Sequence, residues 1–199
     1  KTKSAVVIGG GFIGLEMVEN FKDLGIKTSL VELSEQVMAP VDPEMASLVH
    51  QELTMNGIDL YLGNLVEKFE EQHDTLKLFL KSGEILEADL VILAIGVNPD
   101  TKLAKEAGLK LGLKNAIVTN EKMQTSDPHI FAIGDAVQVL NYVGCFETLI
   151  PLAGPANRQA RVVAENFAGM NKTYKGTVGT AICKVFDLSV ATTGLNEKY

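Results

Sequence analysis

The chain has 199 residues, 46% of them hydrophobic, enough for one large packed domain or two small ones. Its 18 basic and 25 acidic residues leave a net charge of −7, which argues against nucleic acid or an anionic membrane surface as a partner. No apolar run approaches the roughly 18 residues that span a bilayer; Lys1-Thr-Lys-Ser4 opens no signal-peptide core, and Cys145 and Cys183 form no C-x-x-C pair, as suits a reducing cytoplasm.

The first element is a strand, Ala5 to Ile8. Gly9, Gly11 and Gly14 then fit G-x-G-x-x-G, with Gly10, Phe12 and Ile13 between them. A helix from Phe12 to Leu24 follows, and Gly25 stops it. Gly9 permits a tight turn, Gly11 lets a pyrophosphate approach the backbone, and Gly14 lets helix and strand pack closely. The positive end of that helix faces the phosphates. Lys27 to Val31 is the second strand, and Glu32 ends it, 18 positions beyond Gly14. Its carboxylate suits a ribose diol and repels a 2′-phosphate, so the pattern predicts NAD rather than NADP. A glycine-rich turn of another kind would leave Glu32 unexplained.

Pro40-Val-Asp-Pro43 reads as a loop, and the spacing of Met45, Leu48, Val49 and Leu53 predicts a helix over Glu44 to Met55, stopped by Gly57. Ile58 to Leu62 is a third strand. Leu65 to Glu70, Thr75 to Leu80 and Ile85 to Ala88 form an antiparallel meander, turning at Lys81-Ser-Gly-Glu84. Leu90 to Ile95 reads as a parallel strand buried on both faces, ended by Gly96. A short helix covers Thr101 to Ala107. Ile117 to Thr119 is a brief strand, and His129 to Ile133 a second buried strand ending in Gly134-Asp135. Pro151 to Pro155 is a loop before an amphipathic helix over Ala156 to Ala168. Thr177 to Phe186 and Leu188 to Thr193 are strand-like and without evident partners. The fold class is therefore α/β, a Rossmann-like domain carrying an antiparallel meander, followed by further segments.

Four motifs in this order carry a family resemblance: Val7-Ile-Gly-Gly-Gly-Phe-Ile-Gly-Leu-Glu16, Leu93-Ala-Ile-Gly-Val-Asn-Pro99, Ile130-Phe-Ala-Ile-Gly-Asp-Ala136 and Leu149-Ile-Pro-Leu-Ala-Gly-Pro-Ala-Asn-Arg-Gln159. The chain resembles the middle of an FAD-dependent pyridine nucleotide-disulfide oxidoreductase. Within that family it is most similar to the coenzyme A-disulfide reductase, NADH oxidase and NADH peroxidase branch. The resemblance implies an NAD-binding domain over residues 1–118, the second segment of an FAD-binding domain over 119–173, and the start of an interface domain over 174–199. The family's first FAD motif and its redox cysteine would lie before Lys1. The expectation is thus a fragment: the parent an enzyme and a homodimer in the cytoplasm, these residues alone inactive. The parent would pass hydride from NADH through FAD and a cysteine to a disulfide such as coenzyme A disulfide, a peroxide or oxygen.

The resemblance also implies residue roles. Glu16 would orient the nicotinamide, unless it is only a helix glutamate favoured by the dipole. Phe12 would be an aromatic gate over the flavin, or simply a packing ring. Gly96 would let backbone approach the cofactor. Asp135, after Gly134, would accept hydrogen bonds from the FAD ribityl chain, or cap a helix. The backbone at Leu152 and Ala153 would pass the flavin ring. Asn157 and Arg158 would contribute to a substrate pocket, or serve as a helix-start residue and a surface cation. His50, His73 and His129 have no metal-ligand spacing, and nothing near Cys145 in sequence would activate its thiol. Two other readings are a stand-alone NAD-binding sensor or interaction module, and an NAD dehydrogenase without flavin. The Gly134-Asp135 context speaks against the latter.

Overall fold

In a computed structural model, which describes residues 1–198, β1 (Ser4–Ile8) runs into the glycine turn and α1 (Phe12–Asp23) leaves it. There follow β2 (Lys27–Val31), α2 (Pro43–Met55), β3 (Asp59–Tyr61), β4 (Val66–Gln72), β5 (Thr75–Leu80), β6 (Ile85–Ala88) and β7 (Leu90–Leu93). The strands β3-β2-β1-β7 form a parallel sheet in that order, with Ile8 level with Val31 on one side and Leu93 on the other. A separate antiparallel sheet, β4-β5-β6, is the expected meander.

Strand alternation gives this sheet two apolar faces. Ala5, Val7 and Leu30 face α1 (Leu15, Val18, Phe21) and α2 (Ala46, Val49, Leu53). Val6, Ile8 and Val31 face Leu78, Leu80 and Ala88 of the meander. Asp89, between β6 and β7, accepts the backbone N–H groups of Lys3 (2.6 Å) and Ser4 (3.0 Å). Those bonds hold its carboxyl below the usual carboxylate range and fix where β1 begins.

The run Leu90 to Ile95 departs from expectation. Its ladder ends at Leu93, and Leu93 and Ile95 are 62% and 72% exposed. Among the described residues β7 is an edge strand, paired with β1 alone, so an apolar run here does not mean burial on both faces.

The parallel sheet, the meander, α1 and α2 belong to one compact unit, residues 1–96, 182–191 and 196–198; residues 97–181 and 192–195 form a second. The second unit contains α3 (Lys102–Glu106), β8 (Val139–Asn141), β9 (Phe146–Thr148) and α4 (Ala153–Phe167). Its core gathers Met123, Val137 and Val139 against Ile150, Val162, Val163 and Tyr174. His129 to Ile133 forms no strand: Phe131 makes one isolated bridge to Gln124, and the segment folds back on its own turn through Thr125 N–H to Ile130 O (2.9 Å). Ile117 likewise makes only isolated bridges. The hairpin β8–β9 was not legible in sequence. Its turn is held by Asn141 Oδ1, which accepts from Val143 and Gly144, and it puts Cys145 at φ +56°. α4 starts three residues earlier than expected because Pro155 falls in its first turn, where no N–H is needed.

The last elements, β10 (Ala181–Val185) and β11 (Leu188–Thr192), pair with each other. They are not without partners. Val185, Phe186 and Val190 are buried in the core of the first unit, and Phe186 N–H donates to Glu19 Oε2 (3.1 Å).

Candidate functional site

Gly9, Gly10, Gly11, Phe12, Ile13, Gly14, Glu16, Glu32 and Gly96 all lie in the first unit, at or beside the carboxyl ends of β1, β2 and β7. Each glycine of the motif has a measurable reason. Gly9 has φ +110°, and a Cβ there would come within 2.7 Å of the Ala94 carbonyl carbon. A Cβ on Gly14 would overlap the Gly9 carbonyl oxygen, so helix and turn touch backbone to backbone. Gly11 is the contrast: nothing stands within 4 Å of its missing Cβ, and as N-cap of α1 it lies where no side chain among the described residues caps the helix. The open backbone and the positive end of α1 therefore coincide, the arrangement that receives a pyrophosphate.

Glu32 does more than end β2. Its Oε2 accepts Gly10 N–H (2.6 Å) and its Oε1 accepts Ser34 N–H (2.8 Å). The carboxylate is thereby locked beside the turn, and each oxygen keeps a lone pair for a further donor. Gly96, at φ +96°, has open space where a Cβ would stand. Phe12 is half-buried against the first core, whereas Ile13 and Glu16 are exposed.

The segment between Glu32 and α2 closes over the glycine turn. Met38 N–H donates to Gly10 O (2.9 Å), and a Cβ on Gly10 would come within 2.7 Å of Val37 Cγ1. Met38 has φ +53°, an uncommon backbone for a side chain that is fully buried. Val37 N–H donates to His50 Nε2 (3.1 Å), which requires a neutral imidazole. Burial pushes the His50 pKa below its ordinary value of 6.5. The stabilisation it contributes is thus complete above the unfolded-state pKa and is lost as pH falls through the lower folded-state one. We expect the melting temperature to drop between about pH 7.5 and pH 5. The drop should be smaller in His50→Gln, whose amide oxygen accepts without titrating; thermal unfolding of both proteins across that range checks it.

Gly134, Asp135, Leu152, Ala153, Asn157 and Arg158 lie in the second unit. Gly134 N–H donates to Gln159 Oε1 (2.7 Å), and Gln159 is the buried polar residue of α4. That amide ties the Gly134–Asp135 turn to the helix that Leu152 and Ala153 begin. Gln159 ends the fourth sequence motif, where spacing assigns it no task; its burial reveals one. Asp135 is exposed, and α4 has no side-chain cap among the described residues, so a carboxylate acceptor and a helix N-terminus are both available. This suits one side of a flavin site. Asn157 and Arg158 line a cleft of about 590 Å³ with Arg161, Lys172, Lys175 and the carboxylate of Glu165.

Cys183 offers no activated thiol. Burial, then Glu16 and Glu19, push the Cys183 pKa up, and its Sγ rests 3.9 Å from Met38 Sδ. Cys145 is exposed in the β8–β9 turn. Among the described residues no group of His, Cys, Asp or Glu could hold a metal ion, and no helix is long and apolar enough to cross a membrane.

A family model described as pyridine nucleotide-disulphide oxidoreductase matches residues 1–160. An NADH oxidase of Methanocaldococcus jannaschii is 39% identical over 97% of this chain and 43% of its own length. The reduced CoADR-RHD protein of Bacillus anthracis superposes with a TM-score of 0.95 at 53% identity, over 99% of this chain and 35% of that one. An FAD-dependent pyridine nucleotide-disulphide oxidoreductase from Desulfovibrio vulgaris superposes with a TM-score of 0.92 at 39% identity, over 98% of this chain and 50% of that one. The chain thus spans half or less of the length of these proteins.

Proposed function

Because the chain belongs to the pyridine nucleotide-disulphide oxidoreductase family, we propose that it is the NAD-binding part, with a portion of the FAD-binding part, of a flavoprotein oxidoreductase. The single observation that carries this is the pairing at the turn: open backbone at Gly11, with the Glu32 carboxylate fixed 2.6 Å from Gly10 N. When bound, the nicotinamide would supply the hydride and the flavin the two-electron chemistry by which a cysteine outside residues 1–199 reduces a disulfide such as coenzyme A disulfide, a peroxide or oxygen.

The chain's own residues bind and orient. Gly9 to Gly14 cradle the pyrophosphate, Glu32 accepts the adenosine ribose hydroxyls and disfavours a 2′-phosphate, and Gly96 gives the dinucleotide a close backbone approach. At the start of α1, Glu16 orients the nicotinamide and Phe12 serves as an aromatic gate over the flavin. Gly134 and Asp135 hold the ribityl hydroxyls of FAD, with Leu152 and Ala153 along the ring. Asn157 and Arg158 face the substrate. The four cations of their cleft favour a substrate bearing phosphates, such as coenzyme A disulfide. In this reading residues 1–118 are the NAD domain, 119–173 the FAD segment and 174–199 the start of a dimerisation domain; Tyr199 lies outside the described residues. The full-length protein acts as a cytoplasmic homodimer.

The test is spectroscopic. The full-length protein should purify yellow, with flavin absorption that bleaches on anaerobic addition of NADH. Residues 1–199 alone should purify colourless, because they supply one side of the flavin site whereas real sites bury most of a ligand's surface. A full-length protein without flavin refutes the proposal; stoichiometric flavin on residues 1–199 refutes the domain division.

A further inference from the structure

Residues 196–198 make five hydrogen bonds to the loop that covers the glycine turn. Asn196 Nδ2 donates to Pro40 O (3.0 Å), and Glu197 N–H to Asp42 Oδ1 (3.1 Å). Lys198 Nζ donates to Gln36 Oε1 (3.1 Å), Ala39 O (3.0 Å) and Val41 O (2.7 Å). An ammonium has three N–H donors, and here all three go to one loop. Among the described residues Lys198 has no carboxylate within ion-pairing distance, so this lysine is not a surface ion pair with incidental contacts. Gln36 continues the brace from inside, its Nε2 donating to Val41 O (3.1 Å).

What Lys198 holds is the segment that touches the dinucleotide turn. Between its acceptors at Gln36 and Ala39 lie Val37, packed over Gly10, and Met38, whose N–H donates to Gly10 O. Gly10 N–H in turn is the donor that fixes the Glu32 carboxylate. Met38 adopts a left-handed backbone, which persists only where surroundings over-determine it. Lys198 is one of those surroundings, with His50 on Val37 and Cys183 against Met38.

We propose that Lys198 is a positioning residue for the dinucleotide site: its ammonium pins residues 36–41 over Gly10 and so holds Gly10 and Glu32 in the geometry that receives the adenosine ribose. The inference rests on the NAD-binding reading above. It makes an element 166 positions from Glu32 part of the cofactor site without contact with the cofactor. Anything that shifts residues 196–198 then changes NADH affinity.

The experiment uses the full-length protein with NADH as the titrant. Lys198→Met keeps the aliphatic stem and removes the donors. Its calorimetric Kd for NADH should rise about tenfold, the scale of a few lost hydrogen bonds to a charged donor offset by repacking. Amide hydrogen exchange should quicken across residues 36–41 while α1 and β1 stay protected. Lys198→Arg retains charge and donors and should recover most of the affinity. Lys122→Met, on an exposed turn of the second unit, should leave both readings unchanged. If Lys198→Met fails to fold, Lys198→Gln, which keeps an amide donor, carries the same test with a smaller expected rise. A wild-type protein that binds NADH while Lys198→Met binds it equally overturns this inference alone. A wild-type protein that does not bind NADH overturns the proposed function and this inference with it.

Discussion

A Gly14→Ala variant is expected to lose both thermal stability and NADH binding, whereas Gly11→Ala should lose binding alone. In a helix interior, glycine to alanine ordinarily gains about 1 kcal/mol. At Gly14 that gain is outweighed, because the new methyl would overlap the Gly9 carbonyl oxygen, part of the backbone turn rather than a side chain that can move. Overpacking of this kind costs about 1–3 kcal/mol, and more when backbone must shift. The shift would push α1 away from β1, moving the helix N-terminus off the pyrophosphate position. The melting temperature should fall by several degrees, roughly 2–4 °C for each kcal/mol lost in a chain of this size, and NADH titration should give no saturable heat. Gly11 has φ −80°, which any residue adopts, and open space around its missing Cβ. Its alanine variant should melt with the wild type yet bind NADH at least about tenfold more weakly, because the methyl occupies the path of the phosphates. Equal NADH binding by Gly11→Ala would place the pyrophosphate elsewhere.

The second large effect is expected at Glu32. Alanine there removes the ribose acceptor and leaves Gly10 N–H and Ser34 N–H without their carboxylate partner. Hydrogen bonds to charged groups contribute about 1.5–3 kcal/mol each, so NADH affinity should drop by one to two orders of magnitude. NADPH binding should fall much less, since the same change removes a negative charge that faces the 2′-phosphate. The preference for NADH therefore narrows from both sides. Parallel calorimetric titrations of wild type and Glu32→Ala with the two nucleotides decide it. Tighter or equal NADPH binding by the wild type would refute the role given to Glu32. Glu32→Gln, which keeps an acceptor oxygen for one of the two N–H donors, should lie between the two proteins.

The glycine turn and the acid beside it were legible in sequence because their signals are local. A strand of branched residues, three glycines at fixed offsets and an acid at the end of the next strand are each imposed by backbone geometry over a few residues. β2 and β5 matched their expected ends, and α1 and α2 came within a residue, because hydrophobic period and turn residues act at short range. The second unit was less legible. An apolar run such as His129 to Ile133 becomes a strand only if other chain lies beside it, and among the described residues it meets its own turn instead. Leu90 to Ile95 looked doubly buried because periodicity cannot say which strand of a sheet is last.

The amino-acid sequence by itself thus determined the α/β class, the glycine turn, the acid that ends β2 and the family. Tertiary structure alone decided what braces them. His50 meets Val37 across 13 positions, Gln159 meets Gly134 across 25, and Lys198 meets Gln36 across 162. Each is a polar side chain whose partner is a backbone group or amide far along the chain. No periodicity or spacing encodes such a pair. It exists only once burial has removed water as the competing partner and the fold has brought donor and acceptor within reach.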